Sequence, residues 1–74
     1  MKEVMKKIWQ DVLKLELMPD EDESFFDLGG NSYLAAQICQ DFEEETGKSI
    51  EITDFYEYET IAKLIDSVGK SEEE

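Results

Sequence analysis

Hydroxyl or thiol chemistry in this chain has to work without histidine, because its 74 residues contain none. A Ser-His or Cys-His nucleophile carrying its own base is therefore excluded. One cysteine and no histidine leave the usual zinc ligand sets incomplete and allow no intramolecular disulfide. The serine that stands out is Ser32, at the end of Gly29-Gly30-Asn31-Ser32. Two glycines free the backbone for a tight turn, and an apolar-periodic helix begins directly behind them. A hydroxyl at that place faces outward, and the unpaired N–H groups of the first helical turn favour an anion beside it. Two readings are open on these residues alone. Either Asn31 or Ser32 merely caps the helix, or the hydroxyl reacts with a base supplied by another protein. A hydrolase elbow is excluded, because Gly30-Asn31-Ser32-Tyr33-Leu34 lacks the second glycine and no histidine can activate the serine.

Other chemistry-bearing residues weigh less. Asp20-Glu21-Asp22-Glu23-Ser24 begins like a calcium loop, but Phe25 stands where glycine is needed and Asn31 where a bidentate glutamate is needed. No metal site is expected. Cys39 falls on the inner face of a helix and reads as a buried core thiol. Trp9 and Met5 read as core.

The elements that must position Ser32 follow from the apolar spacing. Val4, Met5, Ile8, Trp9, Val12 and Leu13 lay one stripe along a helix from Lys2 to Leu15 or Leu17, ended by Pro19. From Pro19 to Asn31 the period vanishes, and a loop of this length in a small domain points to function. Phe25, Phe26 and Leu28 are expected to pin it to the core. A second helix runs from Ser32 to about Thr46, with Leu34, Ala35, Ile38, Cys39 and Phe42 inward and Gly47 at its C-terminal end. Ser49 to Ile52 alternates too briefly for a sheet. Thr53 or Asp54 caps a short helix over Asp54–Tyr58. Thr60 caps a last helix bearing Ile61, Leu64, Ile65 and Val68, closed by Gly69. The expectation is an all-α four-helix bundle over residues 1–69, of three longer helices and one short one, with a disordered acidic tail at 70–74.

Charge narrows the partners. The chain carries seven lysines against 20 acids, a net −13, and residues 18–74 alone carry −14. Such a surface repels phosphate backbones, so nucleic acid is not an expected partner. The first seventeen residues mix four lysines with three acids, which fits neither a signal peptide nor a membrane span. A soluble, cytoplasmic, monomeric domain is expected. The 41% apolar content, regularly spaced, argues against disorder.

Phe25-Phe26-Asp27-Leu28-Gly29-Gly30-Asn31-Ser32 resembles the F-F-x-L-G-G-x-S motif of phosphopantetheine-binding carrier proteins, and is closest to the peptidyl carrier (thiolation) type. The stretch Ile52 to Ile65 is similar to that family's third helix and the Thr-Ile start of its fourth. The resemblance covers nearly the whole chain and implies a carrier-protein bundle. It implies that Ser32 accepts 4′-phosphopantetheine from coenzyme A through a separate phosphopantetheinyl transferase. The arm's thiol then holds an aminoacyl or acyl group as a thioester. It implies an adenylate-forming ligase that loads the arm, and condensing or tailoring enzymes that use the cargo in a nonribosomal-peptide-like pathway. The chain itself is then no enzyme. It further implies that Asp41, Glu43 and Glu44, with Glu45 beside them, meet basic partner surfaces; a solvated helix face is the other reading. Tyr33 replaces the aliphatic residue common after the serine and is a partner contact beside the arm. Asp27 either positions magnesium-bound coenzyme A or caps a turn. Fatty-acid carriers usually show Asp-Ser-Leu here, so Asn31-Ser32-Tyr33 favours the peptidyl side over an acyl carrier for fatty-acid or polyketide chains. From a different class, the rival is an acidic helical adaptor that binds a basic partner non-covalently. Met1 and the charged tail read as a free-standing protein, though a domain cut from a larger synthetase shows the same pattern.

Overall fold

The computed structural model describes the backbone of residues 1–72 and the side chains of residues 1–68. Four helices follow in order: α1 Lys2–Leu13, α2 Ser32–Thr46, α3 Ile52–Tyr58 and α4 Ile61–Glu72. The expected all-α bundle of three longer helices and one short one is observed. None of the helices among the described residues is long and apolar enough to cross a membrane.

Helix α1 buries Met5 and Trp9 completely, with Ile8, Val12 and Leu13 packed around them. It stops before Leu15, earlier than Pro19 requires. Lys14 turns left-handed (φ 56°), and the N–H groups of Lys14 and Leu15 both donate to the Gln10 carbonyl. This closure satisfies the end of the helix without a glycine. Helix α2 buries Ala35, Ile38 and Phe42 and ends at Gly47, whose φ of 79° suits a residue without Cβ. Helix α3 starts at Ile52, two residues before the expected place. Glu51 is its N-cap residue, and the Asp54 carboxylate reaches back to accept the Glu51 N–H at 3.0 Å. Thr53 therefore caps nothing.

Helix α4 begins as expected, with the Thr60 Oγ1 accepting the Lys63 N–H at 3.3 Å. It buries Ile61, Leu64 and Val68. It then runs through Gly69 to Glu72. A glycine inside a helix costs only about 1 kcal/mol and stops it only where a left-handed closure forms. The expected tail thus overlaps helix at residues 70–72, and residues 73–74 lie outside the described part.

Helix α1 packs on α2 and α4, and α3 packs on α2 and α4. Val4 and Ile8 of α1 face Asp41, Glu44 and Glu45 of α2 across a groove. Lys7, Gln10 and Asp11 line the same groove, so α1 lies along the second half of α2. Residues 15–19, just after α1, line a second groove together with Leu28, which stands four residues before Ser32.

Candidate functional site

The long loop is held to the bundle by the buried Phe25 ring, by Phe26 and Leu28 half-buried against the core, and by a few hydrogen bonds and an ion pair. Phe25 is fully buried, 5.2 Å from the Trp9 ring and 4.8 Å from Phe55. Burying a side chain of this kind contributes about 1.5–3 kcal/mol, and well-placed aromatic pairs add to it. The Phe25 N–H donates to the Glu59 carbonyl at 2.7 Å, and the Ser24 hydroxyl to the Glu59 carboxylate at 3.1 Å. The Ala62 N–H donates to the Glu21 carbonyl at 3.1 Å, and Lys2 pairs with the Glu21 carboxylate at 2.9 Å. Nothing in the sequence singles out Glu59 and Glu21. Their partners lie far along the chain, and no local spacing announces them. The acids at the loop's start shape its own turn. Asp20 accepts the Asp22 N–H, and Glu23 accepts the Asp20 N–H. Among the described residues no group of acids is arranged to hold a metal ion.

The two glycines before the serine have different tasks. Gly29 adopts φ +96°, a region that side chains rarely enter. Gly30 lies flat against the Phe25 ring. A Cβ there would overlap the ring edge, with Cδ2 at 2.6 Å, whereas carbon atoms pack at about 3.5–4.0 Å. The Gly30 N–H also donates to the Phe25 carbonyl at 3.0 Å, and the Gly29 N–H to the Phe26 carbonyl at 3.1 Å. The spacing Phe-Phe-x-Leu-Gly-Gly is thus a small closed unit: the buried ring supports the turn that launches α2.

Asn31 ends that unit in an extended conformation and caps the helix. Its Oδ1 accepts the Leu34 N–H at 2.9 Å. Of the two cap candidates that the sequence leaves open, Asn31 is the one that caps. Ser32 is the first helical residue and is exposed. Among the described residues its hydroxyl has no hydrogen-bond partner. Beside it lie the free N–H groups of the first turn, which suit a phosphate carried on Oγ. The residues present therefore fit a phosphodiester-linked arm at this position. Tyr33 is 80% exposed. Asp27 is exposed, and its carboxylate makes no hydrogen bond or ion pair among the described residues.

The acids of α2 do not form one surface with Ser32. At about 100° per residue, Ser32, Ala36, Cys39 and Glu43 follow one another along one face. Asp41 points to roughly the opposite side, and Glu44 lies about 120° away from Ser32. Asp41, Glu44 and Glu45 instead line the groove against α1, a space of about 350 Å³. Asp41 accepts a hydrogen bond from Gln37 at 3.0 Å, and Glu44 one from Gln40 at 3.5 Å. Glu43 is exposed on the serine's side. The helical period alone could have separated Glu43 from Asp41.

Cys39 is half-buried where a fully buried core thiol was expected. Burial first, then the nearby carboxylates of Asp54 and Glu51, push its thiol up to about 11. At pH 8 the thiolate is therefore about a thousandth of the population, against about a quarter for an ordinary thiol. Iodoacetamide at pH 8 should alkylate Cys39 at least about fiftyfold more slowly than a free pantetheine thiol, followed by intact mass. Comparable rates would mean that the site is open.

Residues 3–68 match the family described as "Phosphopantetheine attachment site". Over 54 residues, 73% of this chain, the sequence is 43% identical to nonribosomal peptide synthetase acrB of Aspergillus aculeatus, of which it spans 4%. It is 34% identical over 58 residues, 78% of the chain, to polyketide synthase PksN of Bacillus subtilis, of which it spans 1%. Among solved structures, BlmI, a type-II acyl-carrier-protein from Streptomyces verticillus involved in bleomycin biosynthesis, is similar with a TM-score of 0.85 at 28% identity. That match covers 95% of this chain and 83% of BlmI. The chain thus spans only a few per cent of the length of these two curated relatives. With the motif, the four-helix bundle and the match over residues 3–68 all in agreement, this chain belongs to the phosphopantetheine-attachment family of carrier domains, which bear 4′-phosphopantetheine covalently.

Proposed function

We propose that Ser32 carries the arm and that this chain is a substrate shuttle with no catalytic activity of its own. In the attachment step the Ser32 Oγ attacks the phosphorus of coenzyme A that bears pantetheine. An Oγ–P bond forms, the pyrophosphate P–O bond breaks, and adenosine 3′,5′-bisphosphate leaves. The serine proton goes to a base on the transferase. The observation that carries this reading is the division of labour at the turn: Asn31 supplies the cap, so the Ser32 hydroxyl stays exposed and unengaged. The arm's thiol then holds an amino or carboxylic acid as a thioester, loaded by an adenylate-forming ligase and passed to condensing or tailoring enzymes. Incubation with coenzyme A, magnesium and a broad-specificity phosphopantetheinyl transferase should add one arm, located on Ser32 by peptide mass spectrometry. A wild type left unmodified beside a converted control carrier would hand the case to a non-covalent adaptor. Loading only by a malonyl or fatty-acyl transferase would make it an acyl carrier for fatty-acid or polyketide chains.

The placement of the α2 acids refines the docking surface. Glu43 shares the serine's face and is the acid a transferase meets first, with Tyr33 beside it. Exposed charges contribute only about 0–1 kcal/mol each, yet they steer encounter at low salt. Glu43→Lys is expected to raise the transferase's apparent KM about three- to tenfold at low ionic strength, and Asp41→Lys less than about twofold. The difference should shrink as salt screens it. Equal effects of the two substitutions would mean that net charge alone matters.

A further inference from the structure

Among the exposed apolar side chains of this acidic molecule, two neighbours, Leu17 and Met18, lie beside the segment that leads to Ser32. Leu17 is 81% exposed and Met18 45%. With Pro19 and Leu28 they form a groove of about 340 Å³, rimmed by Glu16 and Glu23. Pro19 is buried and Leu28 half-buried, so the floor is fixed while Leu17 stands free. Leu28 shares this groove with residues 15–19, which ties them to the segment that launches α2. Leu28 is joined to Asn31 and Ser32 through the two glycines. Tyr33, 80% exposed, and Tyr56, 52% exposed with its ring tilted 5.0 Å from Phe26, lie on the α2–α3 side. Leu17 and Met18 lie on the α1 side.

One partner has to approach Ser32 itself. Enzymes that load or consume the cargo meet the far end of the arm, whereas the enzyme that installs the arm must bring its active centre to the Ser32 Oγ itself. A protein interface of standard size covers about 800 Å² of each partner. That is about one sixth of the 4779 Å² surface of this chain. Centred on Ser32, such a footprint extends to both flanks of the serine. We infer that the Leu17–Met18 groove is a docking surface for the phosphopantetheinyl transferase, seating an aliphatic side chain flanked by lysine or arginine. The acidic rim of Glu16 and Glu23 sets the charge of that partner surface. The inference rests on Ser32 being the attachment site.

Steady-state arm transfer, read by intact mass, tests it on the wild type, Leu17→Ser, Leu17→Met and the double variant Leu17→Ser/Met18→Ser. Leu17→Ser should raise the transferase's KM about fivefold and the double variant about tenfold or more, with kcat within about twofold. Leu17→Met should restore most of the loss. Because Leu17 is so exposed, melting temperatures should stay level, and a KM effect without a stability change is then the signature of docking. Unchanged KM in both serine variants would overturn the inference and leave the attachment reading standing. A wild type that accepts no arm would overturn both. A concentration-dependent dimer in sedimentation that Leu17→Ser abolishes would assign the groove to a second copy of this chain instead.

Discussion

Replacing Ser32 by alanine is expected to abolish arm transfer completely while leaving the melting temperature within about 2 °C of the wild type. The two halves of that result have separate causes. The Oγ is the sole atom at this position that can form the phosphoester, so nothing remains to be modified. The same Oγ makes no hydrogen bond among the described residues, and alanine is a strong helix former. Asn31→Ala should behave in the opposite way. It removes the acceptor of the Leu34 N–H, which costs about 1 kcal/mol, or about 4–8 °C in a domain of this size. The hydroxyl of Ser32 would remain, and so would modification at saturating enzyme. Mass spectrometry and thermal melts on the two variants separate cap from chemistry. Full modification of Ser32→Ala would place the arm elsewhere, and a large loss of its stability would make the serine a structural residue.

The second large effect concerns the paired glycines. Gly30→Ala drives a methyl group into the Phe25 ring, and overpacking of this kind costs about 1–3 kcal/mol. It also pushes Asn31 and Ser32 from their places, so the rate of arm transfer should fall along with stability. Gly29→Ala meets no neighbour within 4 Å, but it forces a side chain into φ +96° at about 1–2 kcal/mol. The two substitutions look alike in sequence and differ in cause. Phe25→Leu, which shortens the ring side, should relieve much of the Gly30→Ala penalty and none of the Gly29→Ala penalty. Denaturant unfolding of the double variants measures this, with a coupling of about 1 kcal/mol or more expected for the Phe25–Gly30 pair. Simple additivity there would show that close approach is not the reason for the glycine.

Most of the bundle was legible from one-dimensional spacing. The stripes of α1, α2 and α4 each recur at the helical period and pack as that period requires, because side chains three and four apart share a face. Gly47 and Thr60 also end and begin their helices as their chemistry predicts. Helix ends follow the sequence pattern less closely. Lys14 takes a left-handed closure that glycine usually takes, Asp54 acts one turn inside its helix, and Gly69 is absorbed into α4. Each is a choice among backbone states separated by about 1 kcal/mol, and neighbouring contacts tip such balances.

At the site, the motif around Ser32 was readable as a string, but its physics was not. That Phe25 sits against Trp9 and Phe55, and that Glu59 receives both Phe25 and Ser24, are consequences of chain segments meeting in space, whereas the Asn31 cap and the Phe25–Gly30 approach are local. Ser24 and Glu59 are 35 residues apart. Local propensity and periodicity describe how a segment curls and which side it buries. They carry no information on which distant carbonyl a loop will find, because that is set by how the helices pack once their apolar faces close on one another. The serine and its glycines could thus be named from their order along the chain. The anchor that holds their turn in place, Phe25 buried against Trp9 and Phe55, arises only in the packed bundle.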